Sequence, residues 1–157
     1  MKQIEVRLSL PVVAPLLDEI KAVSDSLQDR LAAPLEMGDV DEDMRGFWRD
    51  ELVTSQNGDI AKLLALFDRE FFVSGVVVFD RDNAEPVLRA CAAVRLLLRE
   101  GFLQKLPNEA LEGGEVEIEQ LAEPLRKPFM CYLFLATVQE LIIQHLDTLE
   151  QDEETEA

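Results

Sequence analysis

The chain opens with a strand pattern that passes directly into a helix pattern. Apolar Ile4, Val6 and Leu8 alternate with polar residues, which is the two-residue period of a strand with one buried face. Residues 11–31 then carry apolar side chains at a helical spacing. The pattern predicts a strand at residues 3–8 followed by an amphipathic helix.

The same order of strand and helix returns 71 positions later, an offset at which Pro15 aligns with Pro86. A nearly all-apolar, β-branched run predicts a second and more buried strand at residues 72–79. Residues 82–102 again carry a helical apolar stripe. Neither strand-helix unit could bury its apolar face alone, so we predict that two copies pack around a pseudo-twofold axis.

Two more helices are predicted from apolar spacing. Residues 42–67 hold one helical phase, and Asn57-Gly58 within them is interpreted as a kink, a break or a close helix contact. The last helix, residues 128–149, is apolar on nearly every side over its first half, which predicts a place at the centre of the core. Prolines and glycines between residues 104 and 128 predict loops.

Together these elements predict a mainly α (α+β) fold with four principal helices and a small two-stranded antiparallel sheet. The predicted internal β-α-α duplication divides one helical domain into units of about residues 1–70 and 71–149. Residues 150–157 are acidic and offer no apolar face, so we expect a disordered tail that folding does not require.

Charge and composition narrow the classes of partner. The chain has 32 acidic and 15 basic residues and a net charge of -17, which disfavours binding to nucleic acid or to anionic membrane surfaces. No apolar run is expected to span a membrane, and the start of the chain lacks the apolar region of a secretory signal. We therefore predict a cytoplasmic protein, in which Cys91 and Cys131 are small buried hydrophobes and form no disulfide.

The sequence contains no recognisable catalytic, cofactor-binding or metal-binding constellation. The neighbours four residues from its single histidine, His145, are Leu141 and Leu149, which cannot activate a catalytic base, and His145 is predicted to lie near the C-terminal end of the last helix. We therefore predict no catalytic residue, no cofactor and no metal.

The order of several short segments carries a family resemblance. These segments are Asp41-Glu42-Asp43-Met44-Arg45-Gly46-Phe47, Arg49-Asp50-Glu51-Leu52, Val76-Val77-Val78-Phe79, Glu85-Pro86-Val87-Leu88-Arg89-Ala90 and the run from Tyr132 to Ile142. Over nearly its whole length the chain resembles a bacterial family described as a domain of unknown function, DUF2017. The resemblance implies a small cytoplasmic helical protein without established catalytic residues. Some relatives are encoded near an adaptor of a bacterial AAA+ protease, which implies an adaptor-like or regulatory role.

The leading functional hypothesis is a non-enzymatic module that binds another protein with a basic surface. Arg45, Phe47, Trp48 and Arg49 are the candidate contact residues, because tryptophan and arginine dominate the energetics of protein interfaces. The alternative is that one of the two aromatic side chains anchors its helix in the core.

A competing hypothesis is an enzyme or small-ligand binder. Its pocket would lie at the interface of the two repeats and be lined by carboxylates. A homodimer also remains open, because repeated helical units commonly leave an apolar face for self-association.

Overall fold

The structure is a computed structural model that describes residues 3–33, 41–104, 106–113 and 117–155. The described elements are, in chain order, β1 (Ile4–Arg7), α1 (Leu10–Asp25), α2 (Glu42–Ala65), α3 (Arg69–Ser74), β2 (Val76–Phe79), α4 (Ala84–Gly101), α5 (Asn108–Gly113), a 3-10 turn (Ile118–Gln120) and α6 (Glu123–Thr155). The fold is mainly helical, as the sequence predicts.

The two strands form a two-stranded antiparallel sheet. Ile4 lies opposite Phe79 and Arg7 opposite Val76, which confirms the predicted pairing. Val77 and Phe79 face the core and are buried, whereas the alternate residues of β2 are only half-buried. The sheet therefore has one face on the core and one face open to solvent.

The second strand is shorter than predicted because a helical turn precedes it. The Asp68 side chain accepts a hydrogen bond from the Phe71 backbone N–H at 3.1 Å, which caps α3. Gly75 ends α3 in the left-handed conformation, with φ +74°. The predicted strand over residues 72–74 is therefore wrong, and Ser74-Gly75 is a helix end. The local cap outweighs the strand propensity of these apolar residues.

Four helices enclose the core. α4 packs against both α2 and α6, and α1 packs against α6 and α4. The first half of α6 buries Phe129, Tyr132 and Leu135, as expected for a central helix.

Helix α2 continues without interruption through Asn57-Gly58, so the predicted break is wrong. Nothing lies within 4 Å of the place where a Gly58 Cβ would be, which also excludes a close helix contact there. Asn57 instead donates from Nδ2 to the Gln28 carbonyl at 3.0 Å. The polar residue of this pair thus ties α2 to the chain that follows α1.

Helix α6 begins earlier than predicted, contains Pro128, and continues to Thr155. His145 consequently lies inside the helix and is half-buried, which corrects its predicted place at a helix end. The backbone of residues 150–155 is helical. The predicted disordered tail at residues 150–157, of which residues 156–157 lie outside the described residues, stays a prediction. The domain boundary at residue 149 and the dispensability of the tail for folding stay predictions.

One segment of the described chain, Glu123–Leu146 in α6, is long and apolar enough to cross a membrane by length and composition alone. The expectation that no segment reaches that length is therefore wrong. The same test is passed by core helices of soluble proteins, and α6 packs against α1 and α4. The predicted absence of membrane binding stays a prediction.

Two glycine substitutions test these backbone assignments in opposite directions. Gly75→Ala should destabilise the fold by about 2 kcal/mol, because alanine resists positive φ and its Cβ would lie 2.8 Å from the Leu8 carbonyl oxygen. Gly58→Ala should stabilise it by up to about 1 kcal/mol, since it adds helix propensity in open space. Urea unfolding followed by circular dichroism measures both. Equal effects of the two substitutions would contradict the assignments.

Candidate protein-contact site

The first half of α2 stands outside the core. Every side chain of residues 41–52 is exposed, and the buried residues of this helix are Ile60 and Leu63 in its second half. The four predicted contact residues all lie in the exposed part. Because α2 contacts α4 through its second half, its first turns have water on most sides.

Large apolar side chains occupy one face of this exposed segment. Met44, Phe47, Trp48 and Leu52 are 46%, 57%, 41% and 44% exposed. Their spacing of three, four and eight residues from Met44 places them together on one side of the helix. We call these four residues the α2 face. Neither aromatic side chain anchors the helix in the core, so that alternative is wrong.

Charged residues border the α2 face on both sides. At 100° per residue, Arg45 and Arg49 lie beyond the edge of the face formed by Leu52, and Asp50 lies beyond the edge formed by Phe47. Glu51 lies within the face, between Met44 and Phe47. Arg49 donates from Nη2 to the Asp29 carbonyl at 3.2 Å. Phe47, Asp50 and Glu51 also line an open cleft of about 430 Å³. The face is therefore apolar except for Glu51, with basic residues beyond one edge and Asp50 beyond the other.

Side-chain hydrogen bonds hold α2 in place just behind the exposed segment. Gln56 donates from Nε2 to the carbonyls of Leu27 at 3.1 Å and Arg30 at 2.8 Å, and its Oε1 accepts from the Ala32 N–H at 3.0 Å. These bonds satisfy backbone groups left unpaired where α1 ends. The α2 face is thus carried by an anchored helix.

An ion pair also joins α2 to α4. Arg89 donates from Nε and Nη2 to the two carboxylate oxygens of Asp59, with both distances 3.0 Å. Two parallel bonds of this kind fix the orientation of both side chains. The sequence contains both residues, but only the packing of the two helices brings them together.

A second concave site lies beside the open face of the sheet. This pocket of about 520 Å³ is lined by five carboxylates, Glu5, Asp68, Glu70, Asp80 and Asp82, together with Lys62 and the apolar side chains of Ala65, Leu66, Val76 and Val78. We call it the acidic pocket. The sequence analysis predicts a carboxylate-lined pocket at the interface of the two repeats, but it does not identify the carboxylates.

The carboxylates of the acidic pocket have different roles. Asp68 caps α3, and the Asp80 Oδ1 accepts from the N–H groups of Asp82 and Asn83 at 2.9 Å, so both stabilise local turns. Within the described part of the chain, no hydrogen bond engages the side chains of the other three acids. No cluster of three or more metal-ligating side chains occurs among the described residues.

Cys91 and Cys131 are free and buried, which confirms the prediction for both. Burial raises the pKa of Cys91 to about 12, although the nearby Arg95 charge opposes the shift. Burial likewise raises the pKa of Cys131 to about 12, helped by the charge of Glu19. Both thiols therefore stay protonated at neutral pH and are poor nucleophiles.

The fold defines a small, mainly helical protein with a two-stranded sheet and an exposed apolar helix face. The chain belongs to the family described as a domain of unknown function, DUF2017, whose model matches residues 7–146. The resemblance seen in the sequence is thereby confirmed. Neither a curated protein nor a solved structure matches the chain. Family membership alone therefore assigns no activity.

The raised thiol pKa values predict a specific loss of stability in alkali. Above pH about 9 the unfolded chain loses its thiol protons while the folded chain keeps them, so unfolding becomes more favourable by up to about 1.4 kcal/mol per pH unit for each thiol. We expect the urea midpoint to fall more steeply from pH 9 to 10.5 in the wild type than in a Cys91→Ala/Cys131→Ala variant. Parallel curves for the two proteins would contradict this assignment.

Proposed function

We propose that this chain is a non-enzymatic, cytoplasmic protein-interaction module that binds its partner through the α2 face. The observation that carries the proposal is the exposure of Phe47 and Trp48 side by side on an anchored helix. Clustered exposed apolar residues commonly mark an interaction site on a protein surface. A helix held in place before binding also loses little conformational entropy when a partner docks.

The chemistry of the α2 face describes the partner. Helices that expose apolar residues at this spacing bind into apolar grooves. The net charge of -17 and the carboxylates of Asp50 and Glu51 favour a groove with basic residues along at least one wall. Arg45 and Arg49 beyond one edge would fix the direction in which the helix lies. Association should be fast at low salt and weaken as salt rises.

The proposal is tested by comparing the pair Phe47 and Trp48 with one aromatic residue of similar exposure elsewhere. A Phe47→Ser/Trp48→Ser variant should lose partner proteins that the wild type captures from host extract at low salt. A Phe72→Ser variant should retain them, because Phe72 is 51% exposed but lies on α3. Quantitative mass spectrometry after cross-linking measures the difference. Losses of more than about tenfold are expected for interface aromatic residues.

Recovery of the same proteins at equal levels by all three chains would refute the role of the α2 face. Circular dichroism of each variant should match the wild type, since the substituted side chains lie outside the core. Raising the salt concentration should release the specifically captured proteins first.

A second candidate function is supported by the acidic pocket. Glu5 comes from β1, and Val76 and Val78 come from β2, so the pocket spans the pairing of the two strands. The proposed duplication would place this pocket at the interface of its two units. An apolar floor beneath carboxylates suits an organic cation with an aliphatic stem.

The proposed duplication has its own support in the pattern of burial. At the 71-residue offset, five buried positions align with five buried positions: Val13 with Ala84, Leu16 with Val87, Ile20 with Cys91, Val23 with Val94 and Leu27 with Leu98. The helix contacts are less symmetric, because α4 packs against both α2 and α6. The two units would therefore have the same spacing of buried residues in their helices but differ in which other helices pack against them.

Titration with agmatine, which carries an amine and a guanidinium on an aliphatic chain, tests the second candidate. Saturating agmatine should raise the melting temperature by several degrees if the pocket binds it. A Glu70→Gln/Asp82→Asn variant should lose that rise, and an Asp18→Asn control should keep it. No rise in the wild type, or an equal rise in all three proteins, would remove this function.

A further inference from the structure

An apolar groove with cationic side chains lies on a different surface from the α2 face. The groove is formed by the start of α1 and the start of α6 and has a volume of about 680 Å³. Its apolar lining includes Val12, Pro15 and Met130, and its charged lining consists of Arg126, Lys127 and Glu123. The volume is in the range of sites that bury large apolar groups.

The groove has an unusual charge for this chain. Arg126-Lys127 is the only pair of consecutive basic residues in a sequence with a net charge of -17. Arg126 is held in position because its Nε donates to the Leu121 carbonyl at 3.0 Å and its Nη2 to the Glu119 carbonyl at 2.9 Å. Lys127 is exposed. The groove therefore offers apolar contact beside two cations, one of them held in place, and one carboxylate.

We propose that the occupant of this groove is the α2 face of a second copy of the chain. The two surfaces are complementary, because Phe47 and Trp48 would enter the apolar groove while Asp50 and Glu51 approach Arg126 and Lys127. This inference rests on the proposed function in one respect, since it takes the α2 face to be a contact surface. It adds a partner whose chemistry matches the basic, apolar groove that the α2 face requires.

The symmetry of such a contact follows from its two unlike surfaces. A face that binds a different surface on the next copy makes a head-to-tail contact, which produces a ring or an open chain. The contact uses one helix face and one groove, so it belongs to the class of small, transient interfaces. Repulsion between two chains of charge -17 weakens it further, and moderate salt should relieve that repulsion.

Two variants that each keep one surface test the proposal. The face variant, Phe47→Ser/Trp48→Ser, keeps the groove, and the groove variant, Val12→Ser/Lys127→Glu, keeps the α2 face. Sedimentation of the wild type up to about 0.5 mM should show a mean mass that rises above that of the monomer, either to a closed dimer or to larger assemblies. Each variant alone should stay monomeric. Their equimolar mixture should form a dimer and nothing larger, because each copy has only one working surface.

Fluorescence provides a second readout of the same mixture. Trp48 is the only tryptophan in the chain, so the face variant contains none and all tryptophan emission comes from the groove variant. Adding the face variant should shift that emission to shorter wavelength as Trp48 enters an apolar groove. A Phe72→Ser protein should behave as the wild type, and circular dichroism should show all chains folded.

Three results would overturn the inference. They are a wild type that stays monomeric throughout, oligomers that persist in either single-surface variant, and a mixture with no change in mass or emission. The wild type could be monomeric while the Phe47→Ser/Trp48→Ser variant loses the partners that the wild type captures. That combination would overturn the self-association alone. Self-association without any captured partner would leave the α2 face as a contact between copies and remove the proposed external partner.

Discussion

Burial of α4 on more than one side is the constraint on which the rest of the structure depends. Ala90, Cys91 and Val94 on this helix are at most 1% exposed, and α2 and α6 both pack against it. Small side chains such as alanine and cysteine let neighbouring helices approach closely. The residues of α2 that are buried against the core, Ile60 and Leu63, both lie in its second half. The large apolar side chains of the first half are left exposed.

The exposed half of α2 is nevertheless well supported. Gln56 and Asn57 bind the backbone carbonyls that follow α1, and Asp59 pairs with Arg89 of α4. Buried or half-buried polar groups of this kind are costly if left unpaired, so they fix the position of the helix more strictly than apolar contact alone. An apolar surface on a positioned helix is suited to recognition, whereas the same residues on a loop would lose entropy on binding.

The left-handed residue Gly75 connects this helical core to the sheet. Its N–H donates to the Phe71 carbonyl at 2.7 Å, and its carbonyl accepts from the Leu8 N–H at 2.8 Å. One residue thus ends α3 and brings the start of β2 beside the end of β1. The acidic pocket is a consequence, because strand pairing brings Glu5 near carboxylates more than 60 positions away in the sequence. The two candidate sites therefore arise from separate features of the fold.

The sequence by itself determined the strand order, the phase of each long helix and the candidate contact residues, because apolar periodicity and caps act over a few neighbouring positions. It did not decide that residues 72–74 are helical, or that Phe47 and Trp48 are both exposed. Apolar periodicity shows that one face of a helix is apolar, but it does not show whether another element buries that face. Only the tertiary structure decides which elements pack against each apolar face. In this fold the second half of α2 is packed against the core, whereas the first half is exposed to solvent.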